Sequence, residues 1–494
     1  MNAAVPLLLV FLPLVPALIS FALSERLAAW RDASNLAFAL VKLLLVAHLL
    51  RAAAAGAVVE WRYGFLPGHD FLLRVDPLAL LFVTLSVFLW LVTTVYAIAY
   101  FGSGPNLARF FGFFNLSVLS ATGVAMAGTT ITFFLFYELL TLATWPLVVH
   151  RGDEKSLRAG RIYLAYTLAG SAAYLAGILW LEALVGTIEF TLPPDLGGVP
   201  PLILSLVFVL CVGGLGVKAA IIPLHGWLPE AMAAPAPVSA LLHAVAVVKA
   251  GAFGIMRMVY DVYGIETVAA LGLGPPLAAL AAATILYGSL RALMQTDIKK
   301  RLAYSTVSQV SYIVLGASLA GPFAVIGALV HLVHQGIMKI TLFMCAGALA
   351  NRMGIKAIAD LDGAGRAMPV TLGAFSLAAL GMIGVPPLAG FISKWYLGIG
   401  GLQSEAVWVV AVLAGSSLLN AAYFLPLLYR AWLLPAPATA PRIAELATRE
   451  NRMLVLPAAV TAAAALAAGV FAAFPFSPLG WATLIAEGGY LGLR

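Results

Sequence analysis

The chain has 494 residues, of which 63% are hydrophobic and only 10% charged, with a mean hydropathy of +1.01. Soluble domains carry about 25% charged residues, so a soluble globular protein is excluded. At about 20 apolar residues per crossing, a chain this long and apolar crosses the bilayer more than a dozen times and leaves no length for a sizeable soluble domain. The net charge of +7 does not point to nucleic acid, because the basic residues are scattered between apolar runs without a contiguous patch. Cys211 and Cys345 both lie in apolar runs and lack the spacing of a disulfide scaffold, a zinc site or an iron–sulfur site. No cofactor and no metal are therefore expected in the chain.

In chain order, about fourteen apolar runs separated by short polar loops predict an all-α polytopic membrane protein of about 14 transmembrane helices. They lie near 3–23, 33–57, 77–100, 107–126, 129–149, 160–184, 201–224, 237–260, 266–293, 303–319, 321–349, 369–398, 405–433 and 453–475. The first run has no basic residue ahead of it and no small-residue cleavage site, so it is expected to be a retained helix and not a signal peptide. Cytoplasmic loops collect Lys and Arg. With the N-terminus outside, 18 of the 28 basic residues fall in inner loops, including Arg151, Lys155, Lys299, Arg442 and Arg449. Only Arg51, Arg62, Arg74, Arg257 and Arg494 fall outside. Both termini are expected on the outer side of the inner (plasma) membrane.

Runs seven and twelve carry breaks. Proline lacks an N–H and clashes with the preceding turn, so Pro223 with Pro229, Pro235 and Pro237, and Pro386-Pro387 in GVPPLAGF, should each interrupt a helix at membrane depth. Irregular backbone there is tolerated only inside protein or along a wet cavity. The breaks lie five runs apart, which predicts two five-helix units, 107–262 and 263–434, preceded by helices 1–3 (1–106) and followed by a loop and helix 14 (435–494). An odd number of helices per unit makes the two copies inverted, as in many transporters.

Charged side chains at the bilayer centre are costly and functional by default. Of the 21 acidic residues, only Glu138, in FFLFYELLTLATW, lies well inside an apolar run. Lys218, Lys249, Lys339 and Lys394 occupy comparable positions, several beside a helix break. Lysine suits proton transfer because burial disfavours its charged form while a nearby carboxylate restores it. His331 and His334 stand three apart on one helical face with Lys339 further along, a relay segment in a residue type that titrates near neutrality. His243 is an even choice between a relay group and a core histidine. His225 and Glu230 are expected to act in the relay or only to cap and solvate the broken helix, and Lys42 and His48 in run two have no partner and no break, with Lys42 within snorkelling reach of the inner side.

The stretches VKAAIIPLHGWLPEAMAAPAPVSALLHAVAVVKAG, MQTDIKKRLAYSTVSQVSYI and HQGIMKITLF strongly resemble the proton-conducting antiporter-like subunits shared by respiratory complex I, Mrp-type cation/proton antiporters and membrane-bound hydrogenases. The resemblance covers nearly the whole chain. It implies fourteen helices in two inverted repeats, helices seven and twelve broken, and a polar axis in mid-membrane. Glu138 then matches the fifth-helix glutamate and Lys218 the seventh-helix lysine paired with it. Lys249 matches the eighth-helix lysine or histidine, Lys339 the eleventh-helix lysine and Lys394 the twelfth-helix lysine or glutamate. Asp297 and Ser305, in DIKKRLAYSTVSQ, are expected to hold backbone ends. The chain ends about 20 residues after run fourteen, so the long lateral helix of the largest complex I subunit is not expected. With one acidic residue in the axis, no all-protein cage for Na⁺ is apparent, and sodium transport is assigned to a partner.

The function implied is proton translocation along this axis within a larger complex, its partners being the other membrane subunits, protons and the lipid bilayer. A stand-alone transporter of a small solute and a scaffold that does not pump are the alternatives. A membrane enzyme finds no support in any cluster of nucleophile, base and metal ligands.

Overall fold

The computed structural model describes residues 4–54, 59–436 and 451–490. Arg442, Arg449 and Arg494 of the charge tally lie outside the described residues. In chain order come α1 (Val5–Phe11), α2 (Leu14–Ala22), α3 (Ala28–Ala54), β1 (Val59–Leu66), β2 (His69–Val75), α4 (Pro77–Phe101), α5 (Leu107–Met126), α6 (Thr130–Val148), α7 (Glu154–Val185) and α8 (Pro201–Lys218). They are followed by α9 (Trp227–Glu230), α10 (Ala236–Ala244), α11 (Val247–Arg257), α12 (Ile265–Ala270), α13 (Gly274–Leu293), α14 (Ile298–Ser318) and α15 (Pro322–Met353). The last are α16 (Ala364–Ala367), α17 (Pro369–Ile383), α18 (Ala389–Gln403), α19 (Trp408–Leu433), α20 (Arg452–Val470) and α21 (Pro478–Ile485).

The protein is a mostly helical polytopic membrane protein. Among the described residues, 12 helical stretches are long and apolar enough to cross a bilayer. The two remaining apolar runs are also helical. α14 opens on Lys299, Lys300 and Arg301 and is rich in Ser, Thr and Gln, which lowers its hydropathy. Run twelve is divided into α17 and α18, 15 residues each, and neither reaches the roughly 20 residues of a full crossing.

The proline-marked breaks fall where the sequence predicts them. α8 stops at Lys218, and Ala220 takes a positive φ of 58°. The indole of Trp227 donates to the Val217 carbonyl at 2.7 Å, supplying one of the acceptor partners that a helix C-terminus leaves open. A third interruption has no proline signal. Between α10 and α11 the N–H groups of Val245 and Ala246 both donate to the Leu241 carbonyl, at 3.1 and 3.0 Å, so the register slips by one residue between His243 and Lys249. α11 packs against the first break at backbone distance: a Cβ on Gly251 would lie 2.3 Å from the Ala219 nitrogen, so only glycine fits there.

One element departs from an all-α fold. β1 and β2 form an antiparallel hairpin with Val59 opposite Val75 and Trp61 opposite Leu73. Its signal was present in the apolar and aromatic segments flanking the Pro67-Gly68 turn. Arg62 and Arg74 on the hairpin meet Glu189 at 2.7 and 2.9 Å. Burial alone would raise the Glu189 carboxyl, but the two guanidinium groups outweigh it and hold it below the ordinary carboxylate range.

Loop contacts sort the chain into two faces. On one, Glu25 accepts from the Ala108 N–H, Arg109 donates to the His150 carbonyl, Asn351 to Tyr100, Lys299 to Met232 and Ala234, and Arg430 binds Asp362. On the other lie the hairpin, the Glu189 loop, the contact of Trp481 with the Pro77 carbonyl and that of Ser404 with Ala320.

Candidate functional site

Each candidate lysine stands on a different element, and two of them, Lys218 and Lys394, stand beside a helix break. Lys218 is the last residue of α8 and 1% exposed. Its ammonium donates to the Tyr137 carbonyl on α6 and lies 3.3 Å from the centroid of the Tyr137 ring. Glu138, the next residue, is half-buried, and its Oε1 has no hydrogen-bond partner among the described residues. No direct Glu138–Lys218 ion pair occurs among those residues. The tyrosine intervenes, because consecutive residues on a helix project about 100° apart and Tyr137 is the one that faces α8.

Lys249, on α11, is fully buried and donates to the Leu332 carbonyl of α15 at 2.7 Å. That carbonyl lies between His331 and His334, so one continuous helix carries both histidines, the Lys249 contact and, about 10 Å further along its axis, Lys339. All three side chains on α15 are fully buried. The His331 Nε2 meets the Gln309 carbonyl at 3.1 Å and must carry a proton to do so, since a carbonyl only accepts. Its Nδ1 meets Ser393 Oγ at 2.8 Å, one residue from Lys394. Ser393 has the Gly390 carbonyl at 3.2 Å as a second partner, so it can accept from a charged His331 or donate to a neutral one.

Lys394 is 9% exposed and does not snorkel. Its ammonium donates to the Met382 and Ile383 carbonyls at 3.0 and 2.9 Å and to Ser417 Oγ at 2.9 Å. It therefore caps the open C-terminal end of α17, where orphan carbonyls and the helix dipole favour a cation. Gly384 takes a φ of +96°, and a Cβ there would lie 3.0 Å from the Lys394 Cδ, so the turn needs glycine twice over. Lys339 donates to the Leu302 carbonyl at 3.2 Å and to Ser305 Oγ at 2.6 Å. Among the described residues none of these four lysines forms an ion pair with a carboxylate.

The other expectations divide. His243 is buried against Phe343, with ring centroids 4.6 Å apart, and has no hydrogen-bond partner among the described residues. Glu230 is exposed, while His225 is half-buried against Tyr287, so the first is solvated and the second packs. His48 is exposed. Lys42 is fully buried, donates to Thr122 Oγ1 at 2.7 Å and lies 5.5 Å from the Trp90 ring; it points between helices and not toward the inner surface. Asp297 caps α14 by accepting from the Lys300 N–H at 2.8 Å. Ser305 holds no helix end; it faces Lys339.

Glu138 is also not the only acid away from water. Asp76 and Asp261 clamp Arg257 at 2.6 and 2.7 Å, all three nearly inaccessible. Glu182 is 8% exposed, with Thr130 donating to it and His69 at 3.1 Å. These acids sit at helix ends, where a loop residue and a buried residue look alike in sequence. The Arg257 counted among outer loop charges is thus a buried ion-paired group.

Apolar helices, two of them interrupted at proline, with buried lysines that form no ion pair with a carboxylate among the described residues, define a polytopic α-helical membrane protein. The chain belongs to the family described as NADH:quinone oxidoreductase/Mrp antiporter, TM, which matches residues 127–420, a span that holds Glu138, all four lysines and the three candidate histidines. It is 38% identical to NADH-quinone oxidoreductase subunit N of Desulforudis audaxviator, over 88% of each chain. It is 34% identical to a probable K⁺/H⁺ antiporter subunit of Rhizobium meliloti, over 72% of this chain but 36% of that one. Its fold matches the structure of the Mrp complex from a Dietzia species with a TM-score of 0.83, covering 98% of both chains at 23% identity.

Proposed function

We propose that this chain is a proton-translocating membrane subunit of a multisubunit redox-driven pump or cation/proton antiporter. Protons move along Glu138, Lys218, Lys249, His331, His334, Lys339 and Lys394, with His243 beside the path. The observation that carries this reading is that the span matched by the family holds four buried lysines, on carbonyls, hydroxyls and a ring face, with no ion pair to a carboxylate among the described residues. A lysine so placed is costly as a fixed charge and useful as a group that changes charge. An inert scaffold has no reason to keep four of them. The 38% identity to the subunit N relative supports the redox-driven arm. Partners are the other membrane subunits of such a complex, and Na⁺, where it is moved, passes through one of them.

The test is proton uptake by membrane vesicles carrying the assembled complex. Lys249→Met keeps the stem length and removes the ionisable group, so assembly at normal abundance with at least a tenfold loss of flux is the expected result. Flux at the wild-type level from that variant would remove Lys249 from the path.

The same reading has two inverted units, 107–262 and 263–434, and both termini outside, supported by the basic-residue bias and the grouping of loops by contact. Lys155 and Glu405 are both exposed, and this topology puts them on opposite faces. Cysteines placed there should label from opposite sides of sealed vesicles, position 155 only from the cytoplasm. Labelling of both from one side refutes this topology.

A further inference from the structure

Between Lys339 and Lys394 lies an unbroken run of short contacts that the charged residues alone do not account for. Lys339 Nζ donates to Ser305 Oγ at 2.6 Å, and Ser305 Oγ is 2.8 Å from Tyr423 Oη. Tyr423 Oη donates to Asn420 Oδ1 at 2.6 Å, and Asn420 Nδ2 donates to the Met382 carbonyl at 3.0 Å. That same carbonyl accepts from Lys394 Nζ at 3.0 Å. Ser305, Tyr423, Asn420 and Lys339 are all fully buried. Arg301 fixes the backbone at Tyr423 by donating to its carbonyl at 2.8 Å.

We propose that Ser305, Tyr423 and Asn420 form a switchable hydrogen-bonded link that couples the charge state of Lys339 to that of Lys394. This rests on the proton-translocating reading above. The donor order is set by chemistry. A carbonyl only accepts, so Asn420 must turn its NH₂ to Met382 and its oxygen to Tyr423. An ammonium only donates, so a charged Lys339 requires Ser305 to accept; Tyr423 gives its one proton to Asn420 Oδ1, so in the contact between the two hydroxyls Ser305 is the donor. The four bonds from Lys339 to the Met382 carbonyl then run in one direction, and aligned hydrogen bonds polarise one another.

When Lys339 loses its proton, its amine gains a lone pair. Ser305 can turn its hydroxyl back to that amine, Tyr423 can turn toward Ser305, and Asn420 Oδ1 loses its donor. Asn420 and Lys394 share the Met382 carbonyl, so Lys394 feels the reversal through its own acceptor. No covalent bond forms or breaks in the link, and no net proton crosses it. Two hydroxyl rotations carry the information. Ser305, Tyr423 and Asn420 are positioning residues in this scheme, acting through the two lysines.

The test uses the assembled complex in vesicles. Tyr423→Phe and Ser305→Ala each remove one rotor and should lower proton flux at least fivefold at normal abundance. The double variant should be no worse than either single, because both break the same link. Ser305→Thr keeps the hydroxyl and should retain more flux than Ser305→Ala, a difference that loss of packing does not produce. Wild-type flux from Tyr423→Phe, multiplicative losses in the double variant, or equal flux from Ser305→Thr and Ser305→Ala would each overturn the link. If Tyr423→Phe fails to assemble, the two Ser305 variants decide alone. The Lys339→Met control separates the two readings: flux lost in it but intact in Tyr423→Phe discards the link alone, whereas wild-type flux in Lys339→Met discards the role of Lys339 in translocation.

Discussion

Lys394→Arg is expected to assemble at wild-type abundance and to translocate protons at least tenfold more slowly in vesicle measurements. The structure makes arginine the sharpest replacement. Lys394 caps the end of α17 through two carbonyls and a hydroxyl, and a guanidinium, with five donors and a permanent charge, can still cap those carbonyls. Stability is therefore largely kept while reversible ionisation is removed. Lys394→Met confounds the two effects. It takes the Lys394 donor from the Ile383 carbonyl and leaves the Met382 carbonyl with Asn420 alone, an unsatisfied buried group costing about 1–3 kcal/mol, so a loss of flux there would not distinguish a lost proton carrier from a loosened break. Near-normal flux from Lys394→Arg would remove Lys394 from the path and leave it a capping residue.

The helical architecture was legible because its signals are long. Apolar runs of about 20 residues and the prolines at 223 and 386–387 leave few alternatives, and each broken helix stops where its proline requires. The break between α10 and α11 was not legible, since it needs only one carbonyl, Leu241, to accept from two successive amides, and no residue type announces that. The hairpin from Val59 to Val75 is marked in the sequence only by its Pro67-Gly68 turn, a weaker signal than the apolar runs on either side of it. At the site, intramembrane lysines stand out by cost. Neutral polar residues do not: Ser305, Asn420, Ser393 and Tyr423 are ordinary in membrane helices, and only coordinates show that Tyr423 on α19 meets Ser305 on α14. Acids at helix ends were hidden for the opposite reason. Asp76 reads as an N-cap, which it is, accepting from the Ala79 N–H at 2.8 Å; that it also clamps a buried arginine depends on a residue far along the chain.

Glu138→Gln should lower flux at least tenfold while leaving the abundance of the complex unchanged or slightly raised, and that combination is what separates a functional carboxylate from a structural one. A structural acid is held by partners, and its removal takes a bond from them, as deleting Asp76 would take one of the two carboxylates that clamp Arg257. Glu138 is different. Its Oε1 is buried without a hydrogen-bond partner among the described residues, and an unsatisfied buried polar atom costs stability, so the neutral amide gives up no bond made by that atom. What the amide does give up is a negative charge one residue from the carbonyl that receives Lys218. A negative charge near Lys218 favours its ammonium form, and roughly 1.4 kcal/mol of such an interaction changes a rate about tenfold. Glu138→Asp keeps the charge and shortens the reach, so it should retain part of the flux. Abundance and flux measured on the same vesicle preparations decide the matter: if both fall together in Glu138→Gln, the residue is structural, and if neither falls, the charge beside Lys218 has no part in translocation.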